Sequence, residues 1–124
     1  MEPEDYASTL QELSDAPVLT SDEMAEHAAE ASQVLKSIAN PNRLMILCTL
    51  TEGEKSVGSI NNSVPLSQSA LSQHLARLRD ENLVSFRKEG QSVLYRIQDP
   101  RIVALMSRLY ELYCAPDQAA HGED

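Results

Sequence analysis

Apolar residues recur every three to four positions between residues 21 and 114, and this spacing predicts helices along most of that segment. A different pattern falls near residue 90. There, two runs rich in β-branched and aromatic residues, Val84–Lys88 and Ser92–Ile97, flank Glu89-Gly90-Gln91, which predicts a β-hairpin with a glycine turn. The helices are predicted over residues 21–39, 41–51, 57–63, 68–81 and 100–114.

Capping signals fix where these helices begin. Ser21 is predicted to cap the first helix, whose acidic first turn suits the positive end of the helix dipole. Asn40-Pro41 and Asp99-Pro100 each combine a capping side chain with proline at the first helical position. Ser67 caps the fourth helix, with Leu66 and Leu71 spaced as a hydrophobic staple.

The predicted order is helix, helix, helix, helix, strand, strand, helix, a mainly α fold with a small β-hairpin. A short helix, a tight turn, a capped helix and a hairpin form the winged helix-turn-helix pattern. One domain over residues 21–115 is expected, between an acidic flexible tail (1–20) and a polar flexible tail (116–124).

Composition narrows the class of protein. The sequence has no apolar run of membrane-spanning length and no signal-peptide pattern, so we expect a cytoplasmic protein. No catalytic motif or phosphate-binding glycine loop stands out, so an enzyme is not expected. Nor do we expect a cofactor or a bound metal, because three scattered histidines and two cysteines do not form a ligand cluster.

The charge distribution bears on nucleic-acid binding. The net charge is −9, which by itself disfavours DNA. Residues 1–35, however, hold nine acids and no base, whereas residues 36–101 hold nine bases against six acids. A mildly basic module with an acidic extension is compatible with DNA, because only the contacting face meets phosphates.

The fourth helix has the composition of a DNA-reading helix. Its leucines (71, 75 and 78) share one side, and the opposite side, the Ser–Gln face, carries Ser69, Ser72, Gln73, Ala76 and Arg77. Small hydrogen-bonding side chains can enter the major groove and contact base edges. The predicted DNA-contacting residues are Ser67, Gln68, Ser69, Ser72, Gln73, His74 and Arg77 on this helix, with Arg87, Lys88 and Gln91 at the hairpin tip.

Structural alternatives remain open for these residues. The helix can be an ordinary solvated amphipathic helix, and His74, at the edge of its apolar side, can pack within the fold without touching a phosphate. The hairpin tip can be an ordinary polar turn.

Three segments resemble the ArsR/SmtB family of winged-helix repressors. They are Ala39–Leu47 in the second helix, Leu66–Leu78 in the fourth, and Asn82–Val84 with Arg87–Tyr95 in the strand and wing. The resemblance implies a homodimer, held mainly by the first and last helices, that binds a palindromic operator and is released by an inducer. The last helix is apolar over a wide arc, which suits a subunit interface, although burial within the monomer is an alternative.

The same resemblance indicates which chemical class of inducer to expect. The Cys-x-Cys pair of metal-sensing members is absent, because this chain has Ser56–Ile60 there, and the last helix has no histidine. Cys48 and Cys114 resemble the thiol pair of the persulfide-responsive and HlyU-type branch. That resemblance implies that reactive sulfur species or oxidants link the two thiols and weaken DNA binding. Two inert buried cysteines, a metal-responsive repressor and a winged-helix protein-interaction adaptor are the alternatives.

Overall fold

A computed structural model describes residues 18–114. The predicted tails lie outside that range, apart from residues 18–20, which are exposed and belong to no helix or strand. The chain divides after Gln33 into two units, of which the second holds the winged-helix elements. The elements in chain order are α1 (Ser21–Ile38), α2 (Pro41–Leu50), β1 (Lys55–Ser56), α3 (Val57–Ser63), α4 (Gln68–Asp80), β2 (Val84–Glu89), β3 (Ser92–Ile97) and α5 (Pro100–Tyr113).

Three of the predicted caps are present and one is displaced. The side chains of Asn40, Ser67 and Asp99 accept hydrogen bonds from backbone N–H groups in the first turns of α2, α4 and α5. The cap of α1 is Thr20 and not Ser21. Thr20 Oγ1 accepts from the N–H of Glu23, and the Glu23 carboxylate accepts from the N–H of Thr20, which is a reciprocal capping box.

The sheet has one strand more than the sequence predicts. Its order is β1-β3-β2, with all pairs antiparallel. The hairpin register pairs Val84 with Ile97 and Glu89 with Ser92, so Gly90-Gln91 is a two-residue turn, and Gly90 has φ +64°. The additional strand, β1, pairs Lys55 with Tyr95 and joins the segment before α3 to the wing.

One hydrophobic core holds the helices of the second unit to the sheet. Its fully buried members come from every helix between α2 and α5, and include Ile46, Leu47, Ile60, Leu75 and Ile102. Of the predicted staple pair, Leu71 belongs to this core and the partly buried Leu66 packs against it. The helix and hairpin order therefore agrees with the prediction, and the predicted helix ends agree with the observed ends to within one residue.

The first unit contributes an exposed helix segment. Residues 21–33 of α1 are all exposed, Met24 among them. Across residues 18–114, no helix is both long enough and apolar enough to cross a bilayer.

Candidate nucleic-acid interface

The Ser–Gln face of α4 lies in solvent. Leu71, Leu75 and Leu78 are buried beneath the helix, each at most 1% exposed. Six of the predicted contact residues on and beside α4 are exposed, namely Ser67, Gln68, Ser69, Ser72, Gln73 and Arg77. The helix is therefore fixed to the core by leucine and presents small, hydrogen-bonding side chains outward.

The turn before α4 is held by side-chain hydrogen bonds. Asn61, in α3, donates through its amide to the carbonyls of Val64 and Leu66, at 3.2 Å and 2.9 Å. Ser67 Oγ then accepts from the N–H of Ala70 at 3.1 Å. Ser67 thus has a capping role in addition to its predicted contact with DNA.

The end of α4 is fixed by a left-handed residue. Asn82 has φ +63°, and its N–H donates to the Arg79 carbonyl while the N–H of Leu83 donates to the Leu78 carbonyl. This is the Schellman arrangement, with asparagine in the position that usually holds glycine. It stops α4 and turns the chain into β2.

A groove of about 570 Å³ connects α4 with the hairpin turn. Its lining includes Gln68 and Ser72 from α4 and Gln91 from the turn. Three residues that are separate in the sequence prediction are therefore brought to one surface.

The two cations at the hairpin tip differ in their environment. Arg87 forms a bidentate ion pair with Glu54, with Nε–Oε2 at 2.9 Å and Nη2–Oε1 at 2.8 Å, and lies 3.7 Å from a Glu89 oxygen. Hydrogen bonding to Arg87 lowers the pKa of Glu54 and keeps it ionised. Lys88 is exposed, and its side chain has no ion pair among residues 18–114.

His74 is half-buried and contacts Arg43 of α2. Arg43 Nη1 lies 3.3 Å from His74 Nδ1, and because a guanidinium only donates, Nδ1 accepts and the ring proton lies on Nε2. Burial, followed by the charge of Arg43, lowers the pKa of His74. Arg43 Nε also donates to the Ser37 carbonyl, and Ser37 Oγ donates to the Glu81 carboxylate.

Glu54 and Arg43 are partners of predicted contact residues that the sequence alone does not predict. One signal existed for Arg43, which is the single charged residue in an otherwise apolar α2 and therefore needs a polar partner. No local signal marks Glu54, because it is 33 residues from Arg87 along the chain.

The two thiols line one apolar groove of about 500 Å³, here called the thiol groove. Cys48, on α2, and Cys114, the C-cap of α5, are both free and solvent-accessible. The other lining residues are neutral: Leu44, Met45, Thr49, Ser63, Leu109, Tyr110 and Tyr113. Burial raises the pKa of the Cys48 thiol, and its interaction with Cys114 raises that pKa further.

Candidate metal ligands do not converge within residues 18–114: no group of three or more His, Cys, Asp or Glu side chains there could hold an ion.

The last helix keeps much of its apolar surface exposed. Ile102 and Met106 are buried, but Tyr110, Leu112 and Tyr113 are 52%, 52% and 77% exposed. This part of the apolar arc is therefore not covered by residues 18–114.

Comparison with known proteins identifies the family. The model for "Bacterial regulatory protein, arsR family" matches residues 40–85, from the cap of α2 into β2. The transcriptional activator HlyU of Vibrio cholerae is 47% identical over 96 residues, covering 77% of this chain and 89% of its own. A biofilm growth-associated repressor of Xylella fastidiosa is 36% identical over 104 residues, with 84% and 91% covered.

Solved structures agree with this assignment. Reduced HlyU from Vibrio cholerae superposes with a TM-score of 0.72 at 47% identity, covering 75% of this chain and 98% of that one. The repressor BigR from Xylella fastidiosa also gives 0.72, at 36% identity, with 78% and 99% covered. These relatives are regulators and not enzymes, and ArsR-family regulators bind DNA. The chain thus belongs to the ArsR family of bacterial regulatory proteins, as a winged-helix transcriptional regulator.

Proposed function

We propose that this regulator is a cytoplasmic repressor that binds a palindromic operator as a homodimer and dissociates when Cys48 and Cys114 become linked. The observation that carries DNA reading is the exposure of the Ser–Gln face above the buried leucines of α4. A face without acidic side chains and with short amides and hydroxyls suits base edges in the major groove.

The proposed contacts divide by chemistry. Gln73, Ser72 and Ser69 exchange hydrogen bonds with bases, whereas Arg77 and Lys88 bind phosphates. Gln68 and Gln91, on the two sides of the groove between α4 and the hairpin, contact the same stretch of backbone. His74 donates from Nε2 to a phosphate, since Nδ1 is already engaged by Arg43.

Base reading is tested with duplexes selected from a random pool by the reduced protein. Gln73→Ala should weaken binding to the selected site by about 1–3 kcal/mol while leaving random DNA unaffected. Gln98→Ala serves as a control, because Gln98 is an exposed glutamine outside α4. An unchanged ratio of specific to random binding in Gln73→Ala would contradict the proposal.

The homodimer is supported by the exposed apolar side chains of α5 and of α1. Leu112 on α5 and Leu35 on α1, neither of which lines the thiol groove, are each more than half exposed. The family resemblance assigns the dimer contact to these two helices, and exposed apolar surface is typical of subunit interfaces. Leu112→Glu should yield a monomer in sedimentation equilibrium, and a dimer that persists unchanged in that variant would place the interface elsewhere.

The thiol switch is supported by the presence of both cysteines in one groove. A persulfide, RSSH, would transfer its outer sulfur to one thiolate, giving a protein persulfide and RSH. The second thiolate would then attack the inner sulfur and release hydrogen sulfide, so that the two thiols are oxidised to a disulfide and the persulfide is reduced. If a second molecule of RSSH serves as the oxidant and is reduced to RSH and hydrogen sulfide, the extra sulfur is retained in a trisulfide bridge between the two cysteines. Hydrogen peroxide would instead yield the disulfide and two molecules of water.

Linkage would act on DNA binding through α2. Cys48 and Arg43 lie on this ten-residue helix, and Arg43 contacts His74 on α4. Tying α2 to the end of α5 would therefore favour a different placement of α4 relative to the dimer axis, and affinity falls only if that state binds DNA less well.

The switch is tested by operator binding beside mass spectrometry of the persulfide-treated protein. Cys48→Ser and Cys114→Ser should bind DNA normally when reduced and should not be released by persulfide. Equal release of wild type and both variants would eliminate the thiols as the sensor.

A further inference from the structure

Among residues 18–114, no charged side chain lines the thiol groove. Its volume of about 500 Å³ falls in the range of small-molecule sites, roughly 300–1,000 Å³. Its walls are mainly Leu44, Met45, Leu109 and the rings of Tyr110 and Tyr113, and a sulfur atom is present on each of α2 and the end of α5. An apolar site with a few reactive groups is the usual form of a ligand pocket.

The charged groups near Cys48 lie in a different depression. That second groove, of about 610 Å³, is lined by Cys48 together with Glu52 and Glu111, among others. Each carboxylate already has a cation, Lys55 at 3.0 Å for Glu52 and Arg108 at 2.9 Å for Glu111. The described residues that line the thiol groove include no cation, so an anion entering it would lose hydration without gaining a partner among them.

The groove also suits sulfur in particular. Two tyrosine rings and Met45 line it, and divalent sulfur makes favourable contacts with aromatic rings and with other polarisable groups. Cys48 Sγ itself lies 4.0 Å from Met106 Sδ beside the groove.

We propose that the thiol groove binds neutral, apolar molecules containing a chain of sulfur atoms, of the organic trisulfide class, and discriminates against anionic thiol oxidants. This inference rests on the proposed thiol switch and narrows the chemistry of its inducer. The residues that line the groove distinguish neutral from anionic molecules, whereas the two thiols carry out the reaction.

The reaction with a trisulfide RSSSR balances without another reagent. The first thiolate attacks a terminal sulfur, forming a protein–SR mixed disulfide and expelling the perthiolate RSS⁻. The second thiolate attacks the protein sulfur of that mixed disulfide and expels RS⁻. The two cysteines are oxidised to one disulfide, the trisulfide is reduced to RSH and RSSH, and the two thiol protons end on those products.

The test compares dimethyl trisulfide with bis(2-carboxyethyl) trisulfide, a dianion at neutral pH. Loss of free thiol is followed by mass spectrometry on the reduced full-length protein at 0.5 M salt. Each rate is divided by the rate of the same reagent with the protein unfolded in urea, which keeps the net charge of −9 but has no groove. We expect the neutral reagent to be favoured by about tenfold after this correction, because of the uncompensated desolvation of the anion.

Three variants separate the walls from general charge effects. Met45→Lys, at a groove residue that is 38% exposed, places a cation at the rim and should raise the anion's corrected rate toward that of the neutral reagent. Met45→Gln changes the same side chain without charge and should keep the preference. Gln98→Lys adds the same charge at an exposed site outside the groove and should also keep it.

Two results would overturn the inference. One is equal corrected rates for both reagents in the wild type. The other is protection of both thiols from either reagent in the native protein, which would mean that a second copy of the chain covers the groove. The proposed switch is judged separately, by DNA binding of the fully oxidised protein however it was produced, so each idea can fail without the other.

Discussion

The pairing of Arg87 with Glu54 makes a specific prediction about how the wing binds DNA. Glu54→Gln removes one negative charge but keeps an amide oxygen that can accept one of the two hydrogen bonds, at 2.8–2.9 Å, that hold Arg87. The wing should therefore keep its position while Arg87 becomes available to a phosphate. In the wild type, that contact requires Arg87 to leave a carboxylate that remains next to the DNA.

The magnitude follows from counterion release. One additional phosphate contact for each subunit steepens the slope of log K against log salt by about 0.9, which corresponds to roughly eightfold tighter binding per subunit at 0.1 M salt. Because phosphates are common to all sequences, specific and random duplexes should gain equally. We expect tighter binding from Glu54→Gln, a direction that loss of a structural ion pair alone would not produce.

The assay is a salt titration of DNA binding by fluorescence anisotropy with the reduced protein. Glu111→Gln is the matched control, because Glu111 also pairs with an arginine at 2.9 Å but lies on α5, and it should leave the slope unchanged. A slope for Glu54→Gln equal to that of the wild type would refute the reasoning, and so would weaker binding by a fully folded variant.

Three further predictions concern stability. The pKa of His74 is lowered in the folded state, so the unfolded chain binds the proton more readily. The free energy of unfolding should therefore fall as the pH drops below about 6.5. His74→Gln should flatten that dependence in urea titrations between pH 5 and 7. Asn82→Ala should cost about 1 kcal/mol because alanine resists φ +63°, whereas Asn82→Gly should stabilise the protein; a cost from both variants would mean that the Asn82 side chain itself matters. Leu75→Ala should lower the free energy of unfolding by about 3 kcal/mol, while Ser69→Ala should change it by less than about 0.5 kcal/mol, and comparable effects would show that α4 is not docked by its leucine side.

Local rules were enough to predict most of the elements. Asn40, Ser67 and Asp99 mark helix starts because a capping oxygen acts on neighbouring N–H groups, so no distant residue is needed. The displaced cap at Thr20 illustrates the limit of that logic, since Thr20 and Ser21 both carry hydroxyls and only the carboxylate of Glu23, three residues beyond Thr20, selects between them.

Features that depend on distant partners were missed. Strand β1 has two residues, too few for an alternating pattern, and exists because Lys55 meets Tyr95 forty residues later. The contact of Arg43 with His74 and the pair of Arg87 with Glu54 likewise span 31 and 33 residues. The convergence of Cys48 and Cys114 was expected from family resemblance, because nothing in the local sequence around either thiol indicates the other.

Asn82, whose left-handed backbone conformation ends α4, also limits how many base pairs a single subunit can contact in the proposed binding mode. From Ser69 to Arg77 the helix advances about 12 Å, the length of roughly three to four stacked base pairs. A given sequence of four base pairs recurs by chance about once in 256 positions, which is too often to define one promoter among millions of alternative sites. In the proposed binding mode one subunit therefore selects too few base pairs to define a promoter, and the proposed homodimer would supply a second half-site at a fixed spacing.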